Sequence, residues 1–357
     1  MAPDASLEPT TGPLTFEELQ LATRNRGMPL EALRYDLTPT GLHYLLIHFD
    51  IPFVDPRTWR LRFKGAVGRS FETSLEEIQA LPRVSQAVTL ECAGNGRARL
   101  SPRPVSQPWL YEAIGTAEWT GTRLGPLLER AGLADSAVEI VFTGADRGIQ
   151  GGEEHDYQRS LSVSDAMRDE VLLAYEMNGR PLEPQHGFPL RLVVPGWYGM
   201  TSVKWLTSIE AVTQPFAGYQ QSSGYVYKEG PDAIGEPVDR MRPRSLMVPP
   251  GIPDFFSRAR VVERGRVELL GRAWSGFGRI ERVEVGLDGT WHDAVLQPEI
   301  GEFAWRGWTF EWDAQPGEHL LYCRATDSAG NVQPTEAPWN YGGYGNNLVQ
   351  EIAVTVR

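Results

Sequence analysis

Between residues 215 and 250 the chain loses its periodicity. The stretch PFAGYQQSSGYVYKEGPDAIGEP (215–237) is crowded with Pro, Gly, Tyr and Ser and shows no helical or alternating pattern. So long an aperiodic run inside a globular chain is a linker or an ordered connection. It separates two textures. Before it, short helices alternate irregularly with apolar strands; after it, only strand patterns remain. With 357 residues, two domains is the natural division. The spacing predicts a disordered lead over 1–14, a mixed domain over 15–214, a connecting segment over 215–251 and an all-β domain over 252–357.

In the first domain, Thr15 and Glu18 form a capping box that opens a helix running to about Arg24, and Ser74 and Glu77 form a second. Apolar runs predict strands over 42–49, 59–67, 138–143, 171–175 and 190–194. A helix over 124–131 ends at Gly132, suited to a left-handed cap. These strands are spaced too irregularly for regular βαβ winding, so the domain reads as α+β. After residue 252, seven strand patterns with Gly-, Asp-, Pro- and Asn-bearing turns predict an immunoglobulin-like sandwich. Cys323 alternates in phase with Leu321 and Ala325, as a buried structural thiol would.

A net charge of −12 argues against nonspecific binding to nucleic acid, so any anion site must be a local cluster of base. No run approaches the roughly 20 apolar residues of a membrane span, and the N-terminus lacks a signal-peptide pattern. The expected location is the cytoplasm, or the periplasm if a leader has been removed.

The other cysteine, Cys92, ends a strand pattern in VTLECAGNGRAR (88–99), beside a glycine-rich turn, Arg97 and Arg99. Positive charge and backbone N–H groups predict a lowered thiol pKa, fit for a nucleophile or a metal ligand. No CxxC, HExxH or Cys/His zinc spacing accompanies it. If Cys92 binds a metal, an organic cofactor must bring the other ligands. A second cluster, His186, Arg191 and Lys204 around a Pro-Gly turn, together with His48, offers donors for a phosphate and a polar heterocycle. Lys204 is one of only three lysines, with Lys64 and Lys228. The residues alone leave open a cysteine-dependent hydrolase or transferase with His48 or His186 as base, and a non-catalytic cofactor carrier.

LECAGNGR (90–97), EAIGTAEWTG (112–121), LAYEMNGRPLEPQHGFPLRLVVPGWYG (173–199) and SVKWL (202–206) resemble, in order and spacing, the molybdopterin-binding domain of the sulfite oxidase family. The tail resembles that family's immunoglobulin-like dimerisation domain. The resemblance implies a molybdenum-dependent oxidoreductase performing oxo transfer on a small oxyanion or sulfur compound. Sulfite is the leading substrate, with nitrate, a sulfoxide or sulfane sulfur as alternatives. It makes Cys92 the molybdenum ligand, with His48, Asp146, His186, Arg191, Ser202, Val203 and Lys204 holding the molybdopterin. Arg97 falls near the substrate anion, Trp119 lines the pocket, and Tyr225 or Tyr227 approaches the metal. It also implies a homodimer. Because no CxxCH occurs, no heme is expected, and electrons leave to a separate acceptor such as a cytochrome.

Two positions depart from the family's pattern. Leu46, in LLIHFDIP (45–52), stands where an arginine precedes the histidine, and Gly342, in WNYGG (339–343), where the second domain supplies another. A charge-assisted contact to an anion is worth roughly 1.5–3 kcal/mol, so losing two bears directly on the substrate.

Overall fold

The computed structural model describes residues 8–357. Both capping boxes form. The Thr15 and Ser74 hydroxyls each accept from the amide of the glutamate three residues on, and each glutamate reaches back to the cap amide. They open helices Phe16–Arg24 and Leu75–Gln79. The helix Gly125–Ala131 ends, as expected, at Gly132 with φ 68°.

The first domain is built on two five-stranded sheets. One runs in the order Phe71–Thr73, Leu61–Gly65, Leu206–Val212, Glu139–Gln150, Glu153–Ser162. The other joins Val84–Glu91, Ile114–Arg123, Leu172–Met177 and Arg180–Pro181, with Arg191–Val193 also pairing with Leu172–Met177. The sheets meet across a core containing Leu61, Phe63, Phe142, Leu173, Tyr175 and Leu192. The reverse face of the second sheet buries Val88, Leu90, Ala117, Trp119 and Leu172. The sheet is thus covered on both sides, and its central strand Ile114–Arg123 is buried along most of its length, polar threonines included.

The second domain also has two sheets. One contains Arg244–Met247, Gly265–Trp274, Arg306–Ala314 and Val295–Leu296; the other has six strands, among them Ile280–Leu287, Gly317–Asp327 and Gln350–Val356. Leu269, Trp308 and Trp312 of the first face Val283, Val285, Leu321 and Cys323 of the second. Cys323 is fully buried, and burial pushes its thiol up to about 12, so this cysteine is inert packing.

Three expectations change. The apolar run 42–49 is not a strand. A 3₁₀ turn at Thr40–Leu42 precedes an irregular segment, held by the Arg26–Leu45 bridge and by Ile47 N–H donating to Asn25 Oδ1 at 2.7 Å. The disordered lead gives way by Thr10, which pairs with Arg103, whose guanidinium donates to the carbonyls of Gly12 and Pro13; residues 1–7 of that lead lie outside the described residues. Arg244–Met247, expected in the connection, is an edge strand of the second domain. Of the two readings of 215–251, the ordered connection holds, with a π-helical turn at Gln220–Gly224 and a short pairing of Val226–Tyr227 with Glu236–Pro237.

The two domains share buried residues. Met28, Leu33, Tyr111, Tyr198 and Tyr225 pack with Met241, Leu246, Trp274 and Trp305 in one cluster. Trp305 Nε1 donates to Asp36 O at 2.7 Å, and its amide donates to Thr89 Oγ1 at 2.7 Å. Among the described residues no helix is long and apolar enough to cross a membrane.

Candidate active site

Cys92 follows immediately on strand Val84–Glu91, its amide donating to Ala113 O at 2.9 Å. The chain then turns tightly. Asn95 N–H donates to Cys92 O at 2.9 Å, and Gly96 takes φ 91° before the 3₁₀ turn Arg97–Arg99. A side chain at Gly96 would be strained at this φ and would place its Cβ 2.9 Å from Asn346 O. The second domain grips the same turn: Asn346 Nδ2 donates to Gly96 O at 2.7 Å and Gly345 N–H to Ala93 O at 2.8 Å.

Cys92 lies on the wall between two cavities. The first, about 70 Å³, is lined by Cys92, His48, Asp146, His186, Arg191, Ser202, Val203, Lys204 and Tyr225, together with His43, Tyr44, Gln185 and others. Every cofactor-binding residue expected from the sequence is there. The second, about 230 Å³, shares Leu46, His48, Cys92 and Tyr225 with the first and adds Arg97, Gln107, Gln150 and Tyr344.

The first cavity is basic and its polar groups are incompletely paired. Arg191 Nη1 and Nη2 donate to His186 O and Ser202 O at 3.1 and 3.0 Å, while Lys204 Nζ donates to Leu46 O and Gln185 O at 2.7 and 3.3 Å. Arg191 Nε, His186 Nε2, His43 Nε2 and Asp146 Oδ1 are buried with no hydrogen-bond partner among the described residues. Burial pushes His186 down to about 2, His43 and His48 down to about 4, and Arg191 down to about 10. Burial also raises Asp146 and lowers Lys204; for Asp146 the Lys204 ammonium opposes the shift. At neutral pH the imidazoles are therefore uncharged, and Arg191 carries fixed positive charge. Orphaned donors beside an orphaned acceptor fit a bound group with both an anionic part and a hydrogen-bonding heterocycle. No cluster of three or more His, Cys, Asp or Glu among the described residues could hold a metal ion. Cys92 offers one sulfur, and a metal there needs its remaining ligands from the bound group. Molybdopterin fits this donor set.

Three expectations about these residues are corrected. The Cys92 thiol is not lowered: burial pushes it up, and Arg97 only opposes that. Arg99 is exposed and sits 5.7 Å over the Tyr111 ring, and it lines neither cavity. Trp119 is fully buried and lines neither cavity. Its ring lies 4.7 Å beneath the Arg191 guanidinium and edge-on to His43, so it supports the pocket from behind. Of the two tyrosines, Tyr225 faces both cavities, whereas Tyr227 faces neither and lies under Arg242 at 4.6 Å.

Sequence reasoning missed His43, Gln150, Gln220 and Tyr344. Gln220 Nε2 contacts His48 Nε2 at 3.2 Å and donates to Gln150 Oε1 at 2.8 Å, and His48 Nε2 meets that oxygen at 2.7 Å. Nothing local marked these residues; His43 sits in an ordinary apolar stretch and Gln220 in the aperiodic connection.

Residues 48–220 match the oxidoreductase molybdopterin binding domain, and residues 243–357 the Mo-co oxidoreductase dimerisation domain. The chain is 36% identical over 341 residues to mitochondrial sulfite oxidase of Mus musculus, covering 90% of this chain and 62% of that protein. It is 34% identical over 342 residues to sulfite oxidase of Arabidopsis thaliana, covering 86% of this chain and 85% of that one. The sulfane dehydrogenase SoxCD from Paracoccus pantotrophus superposes over 100% of this chain and 95% of its own, with a TM-score of 0.80 and 26% identity. The chain spans about 62% of the length of the mammalian relatives it matches. A cysteine set between a basic, under-satisfied cavity and an open one, carried on this pair of matched domains, makes the chain a member of the sulfite oxidase family of molybdopterin-binding oxidoreductases.

Proposed function

We propose that the protein is a molybdenum-dependent oxidoreductase that transfers oxygen to a small sulfur compound, sulfite-like, and passes the electrons to a separate acceptor. The carrying observation is that Cys92 is shared by the basic cavity and the open one. When bound, the cofactor supplies a metal centre that exchanges an oxygen atom and two electrons with a substrate.

The chain's residues have separable tasks in this reading. Arg191 and Lys204 hold the anionic part of the cofactor, with Trp119 fixing the guanidinium plane. Asp146, His186 and His43 offer unpaired polar atoms to its heterocycle, and Ser202 and Val203 complete that wall. Cys92 would give the metal one sulfur; burial raises its thiol and Arg97 only opposes this, so a bound metal would supply the main stabilisation of the thiolate. Arg97 lines the open cavity as a fixed positive charge for an anionic substrate, acting where charge develops. Tyr225 and His48 stand between the cavities, placed to donate to or accept from a ligand.

The facing sheets of the second domain support reading it as an immunoglobulin-like sandwich, and its match to a dimerisation domain supports a homodimer. A cysteine nucleophile without metal has less support. Burial raises the thiol, and among the described residues neither His48 nor His186 hydrogen-bonds to Sγ.

The test is molybdenum and pterin content of protein made in a molybdopterin-synthesising host, with steady-state turnover of sulfite using ferricyanide. Wild type should hold close to one metal per chain and turn over. Cys92→Ser should remain folded and lose turnover by at least about a hundredfold; full turnover in that variant overturns the assignment.

A further inference from the structure

Among the described residues, the cavity beside Cys92 has one full positive charge on its wall, Arg97. Arg97 is 5% exposed, and two of its nitrogens are already committed: Nε donates to Gly342 O and Nη1 to Gln107 O, both at 3.2 Å. Among the described residues Nη2 has no hydrogen-bond partner. The ring of Tyr344 lies 5.1 Å from the guanidinium and confines it. The other polar lining groups, Asn25, Gln107, Ser106 and Gln150, are neutral, and burial keeps His48 uncharged at neutral pH. One guanidinium charge, with the N–H groups of Nη2 available, balances a single negative charge. A dianion here would keep a second charge with no counter-ion, a costly arrangement in a partly desolvated site.

The remaining wall is apolar. Leu21, Leu46, Ile47, Phe49, Ile149 and Tyr344 supply it, within a cavity of about 230 Å³. That is more space than a four-atom oxyanion fills, and its apolar lining suits an organic substituent. The lining ends at Ile149, whose side chain is 73% exposed. An exposed isoleucine at the mouth of an apolar-walled cavity favours a substrate with an apolar substituent directed outward.

We propose that this cavity takes an organic sulfinate, R–SO2⁻, with the sulfur toward Cys92, one oxygen on Arg97 and the R group along Leu46 and Ile149. The inference rests on the oxo-transfer reading above and names its substrate class. The reaction is R–SO2⁻ + H2O → R–SO3⁻ + 2 H⁺ + 2 e⁻. One S–O bond forms, water supplies the oxygen, sulfur loses two electrons, and two equivalents of a one-electron acceptor take them up.

The experiment uses the holoenzyme with ferricyanide as acceptor and compares benzenesulfinate, methanesulfinate and sulfite. Benzenesulfinate should exceed sulfite in kcat/KM by at least about tenfold, the order expected for filling an apolar pocket. By calorimetry the product analogue benzenesulfonate should bind more tightly than sulfate. Ile149→Ser, a change at an exposed side chain, should lower kcat/KM for benzenesulfinate severalfold more than for methanesulfinate. Turnover of sulfite at or above the rate of benzenesulfinate overturns the inference and leaves the oxo-transfer reading standing. Tighter binding of sulfate also overturns it. A molybdenum-loaded protein that oxidises none of the three removes both.

Discussion

Glu91 Oε1 accepts from Arg244 Nη1 at 2.8 Å, with both side chains 2% exposed. Glu91 is the residue before Cys92, and Arg244 begins the first strand of the second domain's sheet. The other carboxylate oxygen accepts from Trp274 Nε1 at 2.8 Å, and Oε1 also takes Asn95 Nδ2 at 3.0 Å. One carboxylate thus ties the cysteine turn to the neighbouring domain. Removing its partner leaves a buried charge without compensation. Arg244→Leu should destabilise the fold by about 3–5 kcal/mol and lower cofactor content, seen as an early thermal transition and a reduced metal-to-protein ratio.

The Arg191 side chain is placed to hold the cofactor, and its removal should show as cofactor loss. Arg191→Met deletes a charge-assisted contact worth about 1.5–3 kcal/mol, roughly 10- to 100-fold in retention. Trp119→Leu removes the aromatic face beneath it and should weaken retention less, by about 0.5–2 kcal/mol. Pterin fluorescence released from purified protein reads both; equal pterin content in wild type and Arg191→Met would contradict the placement.

Buried neutral histidines make the cofactor-free protein acid-sensitive. His43 and His48 titrate near 4 in the folded chain, against about 6.5 when unfolded. Above about pH 6.5 neither state binds these protons, and their neutral burial costs nothing extra. As pH falls toward 4 the unfolded chain takes them up first, so stability is progressively lost across that window. Each histidine contributes up to about 1.4 kcal/mol per pH unit. Chemical denaturation of the cofactor-free protein at pH 7 and 4.5 should show this loss, and His48→Asn should flatten it.

Gly96 is fixed by both φ and space. Gly96→Ala puts a methyl where Asn346 O lies 2.9 Å away, in a left-handed conformation, and should cost about 1–3 kcal/mol. The thermal midpoint reads the cost. A Gly289→Ala change, also at positive φ but with nothing within 4 Å, isolates the strain term from the crowding.

Much of the fold was legible because local signals and tertiary structure agreed. Thr15, Ser74 and Gly132 are a capping box, a second box and a left-handed cap in both sequence and structure. The run 42–49 misled because its apolar side chains serve a cavity wall rather than a sheet. Its backbone groups go to Asn25 and Lys204 instead of a neighbouring strand. Trp119 misled for a related reason. Strand Ile114–Arg123 is buried on both faces, so alternation could not say which way the indole points. Tyr225 and Tyr227 flank Val226 closely enough that motif spacing left them equivalent; only the fold shows which one reaches Cys92's cavities. The thiol of Cys92 was misread because nearby arginines are visible in a sequence and the depth of burial is not.

The hydrogen bonds from Asn346 and Gly345 onto the turn after Cys92 carry a consequence for biogenesis. Their donors are made some 250 positions after the acceptor at Gly96. While the ribosome is still translating the first domain, the loop bearing the sulfur lacks its clamp. The turn that carries the sulfur therefore gains its clamp only once the segment bearing Gly345 and Asn346 has been synthesised and docked.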